Sequence, residues 1–293
     1  MRYLTYLDEN GKHQPACLMD GRAVEFPPLL QAIGEITTFQ AHSVKGLLSL
    51  TPAQKALLNQ TCLNHLNMGE GLDLDKLTLA PPIPNPGKII CIGMNYPSRA
   101  DTPRPEYPVV FLKPTSGLSS HRAPIRLARA CENVHFEAEL AFYIADTCHN
   151  VPLSEARSHI AGYTIANDVG DQTIEKRTSQ WTSGKMFDTF TPTGPVFVPA
   201  DEITDPQDLM IRTWRNGDLV QESSTVRMLF TVDEILAYLS TLTTLQPGDL
   251  VLTGSPKLFH GELVFHPPLE PGEEIKITIS SLGTLINHIE QGA

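Results

Sequence analysis

The sequence has no apolar run near the ~20 residues that a helix needs to cross a bilayer, so a helical membrane span is excluded. No dense run of lysine and arginine occurs either. With 22 basic residues against 33 acidic ones and a formal net charge of -11, the chain is a poor match for nucleic acid. Its five cysteines (Cys17, Cys62, Cys91, Cys131 and Cys148) are scattered and odd in number, without a Cys-x-x-Cys. That argues against a disulfide framework or a thiolate zinc site, and for reduced thiols in a cytoplasmic setting. The opening Met1-Arg2-Tyr3-Leu4-Thr5-Tyr6 lacks the apolar core of a secretory signal. Internal repeats and low-complexity tracts are missing too. What remains is a 293-residue chain with 41% apolar residues, enough for a packed core.

The chain divides at Ala80-Pro81-Pro82-Ile83-Pro84-Asn85-Pro86-Gly87. Proline fixes φ and removes a donor, so this stretch reads as a linker at 81–87 between a small α+β unit (1–80) and a larger one (88–293). In the first unit, Arg2 to Tyr6 and Cys17 to Met19 are strand candidates. Asp20-Gly21 is a hairpin turn, and Pro28 to Ile36 and Pro52 to Leu66 are helix candidates with proline at the first position. His42 and His65 have no catalytic-type neighbours there. The larger unit is strand-rich: Lys88–Gly93, Val109–Lys113, Val134–Ile144, Tyr163–Val169, Leu209–Trp214, Asp249–Thr253 and Glu274–Ile279. Asn216-Gly217 marks a hairpin, and Val232–Leu242 is an amphipathic helix with Asp233 and Glu234 in its first turn. The class is therefore α+β, mostly β.

Chemistry concentrates in His135-Phe136-Glu137-Ala138-Glu139-Leu140. Side chains two apart in a strand leave the same face, so Glu137 and Glu139 point together, with Phe136, Ala138 and Leu140 opposite. Two adjacent carboxylates in apolar surroundings repel each other and resist desolvation. A hard divalent cation would offset that; a solvated edge-strand face is the alternative. Asn167-Asp168 closes another apolar strand, Lys185 sits among aromatics, and Thr253-Gly254-Ser255-Pro256 forms a tight turn after a strand. Turn initiation, a snorkelling lysine and a plain turn account for each of these taken singly.

In order, these blocks carry a resemblance. They are Cys91-Ile92-Gly93-Met94-Asn95-Tyr96, Phe111-Leu112-Lys113-Pro114, His135 to Leu140, Ala161 to Val169, Gly184-Lys185-Met186-Phe187-Asp188-Thr189-Phe190 and Gln246 to Pro256. From about Lys88 onward the chain resembles the fumarylacetoacetate hydrolase family, in particular its two-domain branch of acylpyruvate hydrolases, oxaloacetate decarboxylases and oxaloacetate tautomerases. The resemblance implies a mixed β-roll and a homodimer. It implies a Mg²⁺ site, with Mn²⁺ or Ca²⁺ as alternatives, at Glu137, Glu139 and Asp168. The implied substrate is a β-keto acid, acylpyruvate or other 1,3-dicarbonyl, taken through a metal-stabilised enolate. Lys185 would be catalytic, and Thr253 and the Gly254 backbone would bind the substrate carboxylate, with Asn95, Tyr96 and Gln172 as further substrate-binding residues.

The chain also departs from that pattern. Arg99 and Thr102 stand where hydrolytic members carry a histidine and a glutamate on a lid, and Pro103, Pro105 and Pro108 disfavour a helix there. Gln172 replaces an arginine, Glu175 a glutamine, and Lys257-Leu258-Phe259-His260-Gly261 a glycine-rich stretch. Arginine stays protonated and cannot be the base, so Arg99 is expected to act as a fixed cation. Asp101, His121 and His135 are candidate replacement bases. Carbon–carbon hydrolysis is the family default. The altered lid favours tautomerisation, decarboxylation or other lyase or cyclase chemistry, and a non-catalytic metal-binding relative is the remaining alternative.

Overall fold

Short caps, tight turns and proline stops divide the chain into many strands and few helices. The structure, a computed structural model, describes residues 1–26, 43–99 and 101–292. The helix expected over Pro28–Ile36, and His42, lie outside the described residues. Arg2–Leu7, His13–Met19 and Arg22–Glu25 form an antiparallel meander. Its second turn uses Asp20 and Gly21 at φ 48° and 75°, the left-handed pair that matches strand twist. Asn216 and Gly217, at φ 52° and 90°, do the same between Met210–Arg215 and Asp218–Ser224. Pro52–Asn67 is helical from its first-position proline, with a capping box between Thr51 and Gln54. Val232–Leu242 starts on a second capping box, Thr231 with Glu234. Among the described residues no helix is long and apolar enough to cross a membrane.

The main sheet runs in the order Leu72–Asp73, Arg22–Glu25, His13–Met19, Arg2–Leu7, Thr191–Pro199, Ile160–Asn167, Ala138–Ile144, Leu250–Leu252, Ile89–Gly93, Val109–Lys113. The meander before the proline-rich stretch thus joins the strands after it, with Tyr3 opposite Phe197. A second sheet holds Asp218–Ser224, Met210–Arg215, Glu274–Ile279, Gly283–Gln291 and Ile125–Leu127.

Ala138–Ile144 lies in the interior of the main sheet, between Ile160–Asn167 and Leu250–Leu252, and every residue in it is buried. It is not a solvated edge. Alternation sends Ala138, Leu140, Phe142 and Ile144 into one core with Ile211, Ile277 and Leu236. Ala141 and Tyr143 enter another with Tyr3, Leu58 and Phe197. The strand expected over Val134–Ile144 is interrupted: Val134–His135 and Ala138–Ile144 are separate, with Phe136 and Glu137 between them. The partner strand breaks opposite, so that Val134–His135 pairs instead with Gly170–Asp171. Between the two ladders the Asn167 side chain accepts the Glu137 N–H at 3.0 Å, and the Asp168 N–H donates to the Glu137 carbonyl at 2.9 Å. The strands splay there, and the opening collects the acids.

Candidate active site

Glu137, Glu139 and Asp168 converge at the splay, each with a carboxylate oxygen within 4.8 Å of the others. Glu139 and Asp168 are 1% exposed, so their charges are withheld from water. Three lysines answer them. Lys185 Nζ lies 2.7 Å from Glu137 Oε2 and 2.9 Å from Asp168 Oδ2, and also donates to the Asp168 carbonyl. Lys113 Nζ lies 2.5 Å from Asp168 Oδ1 and donates to the carbonyls of Val169 and Phe190, using all three of its hydrogens. Lys257 pairs with the remaining Glu137 oxygen, Oε1.

Glu139 is treated differently. Its Oε2 accepts the Gly254 N–H at 2.6 Å, and among the described residues it forms no salt bridge. Burial, then the charges of Asp168 and Glu137, push its carboxyl well above the usual range, against the Gly254 N–H. Burial would push Glu137 up as well, but Lys185 and Lys257 outweigh it and hold that carboxyl well below. The Lys185 ammonium stays charged despite burial, because Asp168, Glu137 and Glu175 hold its pKa well above the ordinary lysine value. A buried carboxylate with no cation of its own, beside two others, is the place a hard divalent cation fits. By donor type and convergence the three acids suit one.

The cluster floors a chamber of about 240 Å³ walled by Phe111, His135, Gln172, Glu175, Trp181, Lys185 and Lys257, among others. His135 Nε2 is 3.7 Å from both Glu137 Oε1 and Glu175 Oε1, and Glu175 Oε1 is 3.9 Å from Lys185 Nζ. Buried His135 Nδ1 and Glu175 Oε1 have no hydrogen-bond partner. Burial pushes the Glu175 carboxyl up, against Lys185 and His135. Gly93, at a strand end, has no room for more: a Cβ there would lie 2.3 Å from Trp181 Cζ3. Gly93→Ala should displace the indole just ahead of the helix Thr182–Lys185 and cost about 1–3 kcal/mol of stability. Chemical denaturation followed by tryptophan fluorescence measures both effects.

The structure sets other expected residues apart from the chamber. Arg99 is on the exposed lid loop, its Nε 2.9 Å from Asp101 Oδ1, and it is not among the described residues of the chamber wall. Thr102 ties that loop by accepting the Ser98 and Arg99 N–H groups. His121 accepts the Ile286 N–H and lines a different cavity. The Thr253 hydroxyl donates to the Leu140 carbonyl at 2.8 Å and is fully buried. Asn95 spends its amide on the carbonyls of Phe230 and Thr253 and on the Phe230 N–H. It clamps the lid base to the Thr253-Gly254 turn, where Gly254 has φ 95° and a Cβ would meet Asn95 Cβ at 2.8 Å. The Tyr96 hydroxyl is buried without a partner, and burial, then Glu139, pushes its pKa well up. Gln172 does reach the chamber, as does His135. Lys113 and Lys257 are functional residues that sequence reasoning alone does not single out. The trace of the first was a lysine ending an apolar strand before proline; of the second, a lysine in place of glycine-rich chain.

The model of the fumarylacetoacetate (FAA) hydrolase C-terminal domain matches residues 88–290. The chain belongs to the fumarylacetoacetate hydrolase family. It is 41% identical over 226 residues to the mitochondrial oxaloacetate tautomerase fahd2 of Xenopus laevis, covering 74% of this chain and 70% of that protein. The crystal structure of 5-carboxymethyl-2-hydroxymuconate delta-isomerase from Mycobacterium smegmatis superposes with a TM-score of 0.76 at 30% identity, over 100% of both chains. Maleylpyruvate hydrolase from Sphingobium sp. SYK-6, solved with manganese(II) and pyruvate, gives a TM-score of 0.80 at 26% identity, again over 100% of both chains. These family members act on small molecules and their reactions differ; this chain, as a member of the family, is an enzyme.

Proposed function

We propose that the chain catalyses keto–enol proton transfer on a β-keto acid or acylpyruvate bound over the Glu137–Glu139–Asp168 cluster. The observation that carries this is Glu139, buried beside two other acids without a cation of its own, on the floor of a chamber that also holds Lys185, His135 and Glu175. The three carboxylates would hold a divalent ion, Mg²⁺ with Mn²⁺ or Ca²⁺ as alternatives, which would supply Lewis-acid stabilisation of a dicarbonyl's enolate. The residues do the rest. Lys185 keeps its proton and presents positive charge to the substrate oxygen on which negative charge develops. Glu175, with its carboxyl raised by burial, sits with His135 where a proton on the carbon between the carbonyls can be taken and returned. The C–H electron pair moves into the new C–C double bond and the carbonyl oxygen gains the charge; protonation of oxygen or carbon completes the exchange. Tautomerisation needs no second nucleophile. Hydrolysis needs an activated water, and the family's lid positions for that hold Arg99 and Thr102, both outside this chamber.

The test mixes the Mg²⁺-loaded protein with oxaloacetate and with acetylpyruvate, and follows the enol absorbance alongside the carbon products. Accelerated ketonisation with the carbon skeleton intact, lost in Glu137→Ala, is the expected result. Stoichiometric release of pyruvate from acetylpyruvate assigns hydrolysis instead. A melting curve indifferent to Mg²⁺, Mn²⁺ and Ca²⁺ overturns the metal site.

A further inference from the structure

A second cavity, of about 410 Å³, adjoins the carboxylate chamber. Four residues belong to both walls: His135, Gln172, Ser255 and Lys257. Beyond that waist the lining turns apolar, with Phe136, Val220, Leu258, Phe259, Leu263 and Phe265. Its wall comes partly from the hairpin of Leu258–Phe259 and Glu262–Leu263. The second sheet braces it: Gln221 donates to the Pro256 carbonyl at 2.7 Å and to Ser255 Oγ at 3.3 Å. Phe136 packs on His266 with ring centroids 5.1 Å apart. Phe265 is 79% exposed and Leu263 44%, an apolar pair left open to water beside the cavity.

Charge is sparse there. Lys257 is the one lysine or arginine among the lining residues, and it stands at the waist, paired with Glu137. Burial, then Arg215, pushes His266 down, so it adds no positive charge near neutrality. A substrate tail ending in a carboxylate would find no free cation in the lining. An uncharged apolar tail would find aromatic and aliphatic walls.

We propose that this cavity receives the acyl substituent of the substrate, and that the substituent is bulky, apolar and uncharged: an aroyl or medium-chain alkanoyl group on a 2,4-dioxo acid. The inference rests on the placement of the dicarbonyl over the carboxylate cluster. From there the 4-acyl group passes between His135 and Lys257 and leaves water for the apolar walls.

Titration calorimetry of the Mg²⁺-loaded protein, on times shorter than turnover, compares four probes: oxalate, acetylpyruvate, benzoylpyruvate and fumarylpyruvate. Benzoylpyruvate should bind at least about 10-fold more tightly than acetylpyruvate, since a phenyl ring buries far more apolar surface than a methyl group. Fumarylpyruvate should gain nothing over acetylpyruvate. Leu258→Arg, which places a cation in the wall, should lower the benzoyl-to-fumaryl affinity ratio by about 10-fold or more. Val220→Trp, which narrows the cavity without charge, should lower the benzoyl-to-acetyl ratio. Equal affinity for benzoylpyruvate and acetylpyruvate, or a preference for fumarylpyruvate in the unaltered protein, overturns the proposal while oxalate binding keeps the carboxylate site. Failure of all four to bind overturns the underlying placement and this proposal with it.

Discussion

Lys185→Met is expected to remove turnover, by about 10²–10³-fold or more, and to destabilise the metal-free protein by about 3–5 kcal/mol. Methionine nearly matches the lysine stem in volume, so packing changes little and the loss reports charge. Lys185 is 3% exposed, and its ammonium bridges Glu137 Oε2 and Asp168 Oδ2 at 2.7 and 2.9 Å. Removing it leaves buried Asp168 and partly buried Glu137 with one fewer cation. Lys113 and Lys257 are too committed to compensate. Lys113 has spent its hydrogens on Asp168 and two carbonyls, and Lys257 holds the far oxygen of Glu137. Saturating Mg²⁺ should restore part of the stability, because a cation at the cluster again balances the acids. It should not restore turnover, because the charge lost is the one proposed to face the substrate. Melting curves with and without Mg²⁺, beside the enol-absorbance assay, separate the two effects. Recovery of activity with Mg²⁺ alone would show that Lys185 serves only to neutralise the acids.

The acids and Lys185 were legible in the sequence because each sits in a short local pattern. The parity that put Glu137 with Glu139 and against Phe136, Ala138 and Leu140 survives in the structure, although the strand itself breaks at Phe136-Glu137. Alternation cannot report such a break: the side-chain rhythm continues while the hydrogen-bond partner changes, and what takes over is a side chain, Asn167. Hairpins at Asp20-Gly21 and Asn216-Gly217 and the helix at Val232–Leu242 were legible for the same local reason, through φ preference and capping. The charge balance was not. Lys113 and Lys257 reach the cluster from chain positions 55 residues before Asp168 and 120 after Glu137, and nothing in their neighbourhoods points to the carboxylate that each one meets. Position in a lid block likewise said nothing about depth: Arg99 turned to Asp101 and solvent, while Glu175, noted as a mere replacement for glutamine, turned inward beside His135.

Glu139→Gln and Glu137→Gln should move the metal-free protein in opposite directions, although the two glutamates share one motif. Glu139 has no lysine, and burial with two neighbouring acids makes its charge unfavourable. A glutamine there keeps an oxygen to accept the Gly254 N–H and removes a repelling charge. Its new amide N–H₂ enters a site rich in acceptors, where the Asp168 and Glu137 carboxylates lie close by and can accept from it. The expected net effect is a gain of about 1 kcal/mol without metal. Glu137 is the opposite case. Lys185 and Lys257 hold its carboxyl well below the usual range, so its charge is favourable as it stands. Neutralising it takes one of two carboxylate partners from buried Lys185, which keeps Asp168, and the charged partner from half-exposed Lys257, at a cost of about 3 kcal/mol. With metal the two substitutions should converge: each removes a carboxylate from the proposed site, and each should abolish the stabilisation expected at saturating Mg²⁺, about 2.7 kcal/mol for ligand at 100 times its dissociation constant. Chemical denaturation of both variants, in chelator and in excess Mg²⁺, gives all four numbers. A Glu139→Gln protein less stable than the parent in chelator would show that this carboxylate is already compensated within the chain, and the case for a cation at the splay would fall with it.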